Sequence, residues 1–385
     1  MRRVYLDWLR VLAILTIFLF HSARFFDRGD WHVKNATTYL AVQIWTDFLA
    51  SWGMPLIFVI SGASSFFALG KRSPTEFVRE RARRLLVPLA VGVFTHCAVQ
   101  VYLDRTTHGV FRGSFWAFYP HYLNGPMGHD GNFAWQPMHL WYLEVLFVFS
   151  VLLLPVMAWL KRGSGARWLA KTTALLAVPG MPYALALPVM LAVVTLDPST
   201  FLGRRGWAGW CLVAHALFFL NGFVLASNDS LQARVEQARW VSLALGVVTV
   251  GGLVVITTRG GRFDFAASRD PLFFSVMGLN AWCWILTIWG FGRRHLNAVT
   301  PFLAYAGEAV LPFYVLHQTV LLVVGYFVVQ WAIPDVLKWA IISSSSLALI
   351  LMIYDRLIRP NNVLRFLFGM RPLPRKPPAA ALQAT

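Results

Sequence analysis

The stretch YLDWLRVLAILTIFLFHSARFF, residues 5–26, is apolar through its centre yet carries Asp7, Arg10 and His21. An apolar run of this length crosses a bilayer as a helix, since about 20 residues span the hydrocarbon core. Ionisable groups inside such a span are costly, so they face the interior of a bundle or a polar cavity. Arg10 and His21 are eleven residues apart, which on a helix is three turns plus about 20°. They share one face, and Asp7 lies within about 40° of that line. The axial separation of Arg10 and His21 is about 16 Å, half the hydrocarbon thickness. Arg10 then sits at the inner membrane boundary and His21 lies below the outer one. The pair outlines a polar channel open from inside to near the outer face.

The rest of the chain agrees with this first span. Of 385 residues, 57% are hydrophobic and only 13% charged, with a mean hydropathy of +0.58. That is too little charge to cover a soluble protein of this length. The runs are continuous rather than alternating, which excludes a β-barrel. The fold class is therefore all-α, a polytopic integral membrane protein of about ten transmembrane helices. The spans fall near Leu9–Phe26, Phe48–Leu69, Leu85–Leu103, Met138–Leu160, Thr173–Leu196, Gly209–Ala226, Trp240–Thr257, Leu272–Phe291, Glu308–Trp331 and Val336–Tyr354. Pro179, Pro182 and Pro188 kink the fifth, and Val42–Trp45 either begins the second early or lies at the interface.

The net charge of +17 is explained by its distribution. With the N-terminus inside, segments 1–8, 70–84, 161–172, 227–239, 292–307 and the tail after Tyr354 hold 22 Lys and Arg residues, against 9 in the outer loops. This positive-inside bias places both termini in the cytoplasm and removes the reason to invoke a nucleic-acid partner. Asp7 and Arg10 interrupt the start of the first apolar run, so it reads as a retained span rather than a signal peptide. The organisation is one transmembrane domain, residues 1–355, and a basic cytoplasmic tail, residues 356–385, whose PPAAALQAT end has a disordered composition. The outer connection 104–137 folds onto the helices as a cap or re-entrant piece. Cys97, Cys211 and Cys283 lie in spans, with no disulfide or metal spacing. His108, His121 and His129 make no zinc pattern either, so no metal site is expected.

Residues 5–26 resemble the opening of the acyltransferase-3 family of membrane-bound O-acyltransferases, which share an arginine, ten residues, then a histidine. Arg10 and His21 match it. FVISGASSFF (58–67) resembles the family's second-helix Ser-Gly segment, and RARRLLVP (81–88) its Arg-x-x-Arg at Arg81 and Arg84. HLWYLEVLFVFSVLLLP (139–155) resembles its outer-edge His-Leu-Trp entry, and PFYVLHQTVLL (312–322) its late Tyr-x-x-His segment. The wording is closest to the branch containing the succinyltransferases of periplasmic glucans, and departs from the polysaccharide-acetylase entry Trp-Ser-Leu-x-x-Glu.

The resemblance implies a bacterial inner-membrane enzyme. It would move a succinyl or acetyl group from cytoplasmic acyl-coenzyme A to a hydroxyl of a periplasmic or lipid-linked glycan, with no permanently bound cofactor. Acyl transfer needs a base, and histidine suits it. His21 is the candidate base, with Glu144 at a similar depth as its orienting partner. Arg81 and Arg84 suit the donor's phosphates, with Arg10 at the mouth of the stripe. Asp7, Trp141, Tyr314 and His317 are supporting residues. Each has a plainer reading: Arg10 a snorkelling anchor, His21 and His317 interhelical bonds, Glu144 a structural acid bonded to tyrosine or tryptophan, Trp141 part of the aromatic belt, Arg81 and Arg84 topology charges. A proton-coupled transporter or flippase also uses intramembrane His, Glu and Arg, although no duplicated half is visible. The sequence does not speak to oligomeric state.

Overall fold

The structure, a computed structural model, describes residues 3–124, 137–259 and 270–373. Among them there are helices and connections but no β-strand. In chain order the helices are α1 (Val4–Ala23), α2 (Leu40–Leu69), α3 (Pro74–Phe94), α4 (His96–Thr107), α5 (Phe115–Tyr122) and α6 (Met138–Leu152). Next come α7 (Leu154–Leu160), α8 (Gly163–Leu176), α9 (Met181–Thr195), α10 (Leu212–Ala226) and α11 (Asp229–Gln237). The last are α12 (Arg239–Arg259), α13 (Pro271–His295), α14 (Pro301–Val328), α15 (Asp335–Ile358) and α16 (Asn362–Leu367).

Several starts are written in the sequence. Ser73, Asp270 and Thr300 each accept backbone N–H bonds at the head of a helix, and each is followed by proline in the first turn. Ser73 also forms a reciprocal capping box with Glu76.

Among the described residues six helices, α1, α2, α12, α13, α14 and α15, are long and apolar enough to span a membrane, and nine spans result if each bent pair counts once. The pairs are α3–α4, bent by 43°, α6–α7, by 54°, and α10–α11, by 104°. The expected fifth span is broken at Gly180, whose φ of +82° is left-handed. It leaves a short apolar helix, α9. Val42–Trp45 belongs to α2, which begins at Leu40.

Helix α1 lies between α2, α13, α14 and α15. The tightest crossing is α2 with α10. A Cβ on Gly62 would lie 1.8 Å from the Phe219 carbonyl oxygen, and one on Gly222 would lie 1.9 Å from that of Val59. The two backbones therefore touch through paired glycines, as in small-residue membrane packing. The segments expected inside gather at one end. Arg3 bonds Asp229 at 2.5 Å, Arg293 meets Glu236 at 3.3 Å, and Trp8 donates to the Ala298 carbonyl at 2.9 Å. The expected outer segments meet at the other end, through pairs such as Tyr39–Asp335 at 2.7 Å.

Of the 104–137 connection, α5 packs on α4 as a cap. His129, Trp135 and the PPAAALQAT end lie outside the described residues. Residues 359–373 fold against the bundle.

Candidate active site

His21, on the last turn of α1, faces α14. Its Nδ1 lies 3.0 Å from Nε2 of His317. The Nδ1 of His317 lies 2.6 Å from the Tyr314 carbonyl. A carbonyl only accepts, so His317 carries its proton on Nδ1 and, as a neutral ring, presents a bare Nε2. His21 then donates from Nδ1, and its Nε2 keeps the lone pair. His317 is buried, at 1% exposure, while His21 retains accessible surface.

Behind this pair, His139 ties α6 to α14. Its Nε2 donates to the Val315 carbonyl at 3.1 Å, and its Nδ1 accepts from Gln100 at 3.1 Å. Gln100 also donates to Thr319 at 2.6 Å and accepts from Gln318 at 3.1 Å. The Tyr314 hydroxyl donates to the His139 carbonyl. This web fixes residues 314–319 of α14, and with them the His317 ring.

Below Tyr314, toward the basic end, lies a cavity of about 280 Å³. Arg10, Arg81 and Arg84 line it, with Ser61, Tyr142 and Tyr314. Arg81 donates to Ser65 at 2.9 Å, and Ser61 and Tyr142 share a 2.6 Å bond. Arg10 and Asp7 approach to 3.6 Å. Arg83 and Arg84 sit on a π turn, Ala82–Leu86, just before Pro88. Proline has no N–H and crowds the carbonyl four residues back, which the wider turn relieves.

At the opposite end, residues 24–39 form a strap over the tip of α1. Asp27, fully buried, holds it by bonds from Arg24 at 2.5 Å, Lys34 at 2.7 Å and Thr46 at 3.1 Å. Burial pushes the Lys34 ammonium below its ordinary pKa, against the pull of Asp27. The strap lays Trp31 nearly parallel to the His21 ring, 6.1 Å away. His32 joins it to Asp104 of α4 at 2.9 Å.

Arg10, Arg81 and Arg84 facing a cavity at one end, and a paired imidazole near the other, match the order and sidedness of the resembled motifs. The acyltransferase-3 family profile, an acyltransferase domain, matches residues 3–355. The chain belongs to the acyltransferase-3 family. It is a multi-pass membrane acyltransferase. It is also similar to proteins called glucans biosynthesis protein C from Salmonella agona and Salmonella heidelberg. Each is 22% identical over 397 residues, covering 99% of this chain and 98% of the relative. No solved structure matches.

The structure brings some of the expected acyltransferase residues together and separates others. Arg10, Arg81, Arg84 and Tyr314 share the cavity, and His21 meets His317. Glu144 does not meet His21. Tyr142 points into the cavity, and two residues on, about 200° around the helix, Glu144 is exposed on the opposite face of α6. Position along a helix does not fix the direction in which a side chain points. Trp141 packs on Trp207, Phe58 and His215, away from the histidine pair.

Of the expected channel, the cavity accounts for the part from the basic end to Ile14 and Tyr314, one turn short of His317. His139, Gln100, Ser61 and Tyr142 were given no role from sequence. Ser61, His139 and Tyr142 stand inside the segments 58–67 and 139–155 that carried the resemblance, which was the available signal, whereas Gln100 lies outside them.

Proposed function

We propose that this acyltransferase accepts acyl-coenzyme A at its basic, cytoplasmic end and esterifies a glycan hydroxyl at its periplasmic end, in a bacterial inner membrane. The observation that carries this reading is the His317–His21 bond, which leaves His21 Nε2 able to take a proton.

His21 Nε2 removes the proton of the acceptor hydroxyl as that oxygen attacks the thioester carbonyl. The tetrahedral intermediate collapses with cleavage of the C–S bond, and the proton passes to the thiolate. The products are an O-ester and free coenzyme A. In a two-step transfer Nε2 is itself the nucleophile: it bonds the acyl carbon as the C–S bond breaks, and its Nδ1 proton passes through His317 Nε2 to the thiolate. The acceptor hydroxyl then displaces the imidazole and returns its proton to the histidine pair. His317 supports His21 as the aspartate supports histidine in a serine hydrolase triad: it fixes the tautomer and ring orientation. Arg10, Arg81 and Arg84 suit the anionic donor. Trp31 borders the path by which a sugar hydroxyl reaches His21. The relatives' name, glucans biosynthesis protein C, favours a glucan acceptor, and the sequence wording favours a succinyl donor.

The test is transfer of radiolabelled succinyl or acetyl from coenzyme A to periplasmic glucan by the purified protein in nanodiscs. Label in the glucan with either donor supports the reading, and label with neither overturns it. Uptake of glycan into liposomes free of acyl-coenzyme A would favour a carrier instead.

A further inference from the structure

A second cavity, of about 460 Å³, adjoins the first at the basic end. Arg72, Glu80 and Arg371 line both. Lys71, Arg79, Arg83 and Glu76 complete its wall, so five cations face two carboxylates. Glu76 is engaged in the Ser73 capping box, and the backbone N–H of Ser73 holds its carboxyl below the usual range. Glu80 remains. It meets Arg72 at 3.0 Å, Arg84 at 3.7 Å and Arg371 at 3.9 Å. Those guanidiniums come from the 70–84 segment and from the tail, and one carboxylate does not neutralise three of them.

Arg371 belongs to the tail, which read from sequence as topology charge alone. Its placement is built. Arg365, only 5% exposed, donates to Glu308 at 2.7 Å, to the Arg371 carbonyl at 2.7 Å and to the Arg359 carbonyl at 3.1 Å. Leu373 N–H donates to Asn362 at 2.8 Å. Gly369, at φ +68°, passes so near the π turn that a Cβ would lie 2.6 Å from the Arg84 carbonyl oxygen. A positive-inside anchor needs a charge on the correct side of the membrane. It does not need a buried arginine that fixes the backbone of a second arginine against the donor cavity.

We infer that the tail segment 359–373 completes a phosphate-binding vestibule, in which Arg371, with Arg72, Arg79 and Arg83, receives the phosphate esters of the donor's nucleotide end. The pantetheine arm then runs past the shared wall into the inner cavity, toward Tyr314. The inference rests on the acyl-coenzyme A reading above.

Arg371 is well suited to a test, because its side chain is 71% exposed and its substitution leaves the Arg365 hub intact. Full-length wild type and the Arg371→Glu and Arg371→Lys variants are assayed in phosphatidylcholine nanodiscs, with acyl-coenzyme A and with its analogue lacking the 3′-phosphate. Arg371→Glu is expected to raise donor KM about tenfold, the scale of a lost charged contact, with kcat within about twofold. Arg371→Lys should recover most of the loss. The gap between variant and wild type should narrow with the analogue. An unchanged KM in an active Arg371→Glu protein overturns the vestibule and leaves the proposed function standing. No transfer by wild type from any acyl-coenzyme A overturns the function itself. The same KM series in discs containing phosphatidylglycerol separates the two sources of phosphate. An Arg371 effect that follows anionic lipid, and not donor concentration, assigns the vestibule to headgroups and overturns the donor assignment.

Discussion

His21 and His317, 296 positions apart in the chain, are joined by a 3.0 Å bond between Nδ1 of the first and Nε2 of the second. The Tyr314 carbonyl polarises this bond in one direction. Residues that act as a unit lose function together. His317→Ala is therefore expected to lower kcat about 10²-fold with donor KM nearly unchanged. The His21→Ala/His317→Ala double variant should be no slower than His21→Ala alone. Steady-state transfer kinetics check this, and additive losses would separate the two residues.

Glu144 gives the opposite expectation. It is exposed on the far face of α6 from Tyr142, and among the described residues it has no hydrogen-bond partner. Glu144→Gln should transfer acyl groups within about twofold of wild type, since surface substitutions away from such features do little. The same assay decides it.

The paired glycines of α2 and α10 set a structural test. A methyl group on Gly62 or Gly222 meets a carbonyl oxygen under 2 Å away. Gly62→Ala and Gly222→Ala should each destabilise by about 1–3 kcal/mol, the cost of overpacking. A fall in the thermal midpoint of the detergent-solubilised protein reads this directly.

The strap over His21 is expected to respond to pH through His108. Its Nδ1 meets the Asp104 carbonyl at 2.7 Å and its Nε2 the Asp30 carboxylate at 3.3 Å. These partners, the Asp104 carbonyl first, raise its pKa above the ordinary 6.5. The folded state therefore favours the charged ring. Its contribution is complete below the unfolded value and is lost as pH rises through the raised folded value. Hydrogen-exchange protection factors of residues 28–34 should fall as pH climbs above 6.5. In His108→Ala that dependence should vanish.

Much of this was legible in the sequence, for identifiable reasons. Arg10 and His21 could be placed on one face because helical geometry is local: three turns and a small remainder. Sidedness followed from charge counts, and the contacts of Arg3 with Asp229 and of Arg365 with Glu308 agree with it. The partner of His21 was not legible, because nothing local fixes how α1 and α14 are rotated toward each other. The Glu144 assignment failed on the same point. His139 went unassigned because a histidine at the start of a span reads as a boundary residue, whereas here its main chain and ring both brace α14. Arg365 and Arg371 were hidden by composition: among so many inner basic residues, a buried hub and a cavity wall look like any other anchor.

The most direct measurement is the initial rate of acyl transfer by purified His21→Ala in nanodiscs, at equal folded protein. Loss of general-base catalysis predicts a rate lower by about 10²–10⁴-fold, with donor binding retained. A folded His21→Ala protein that transfers acyl groups at the wild-type rate would contradict the account.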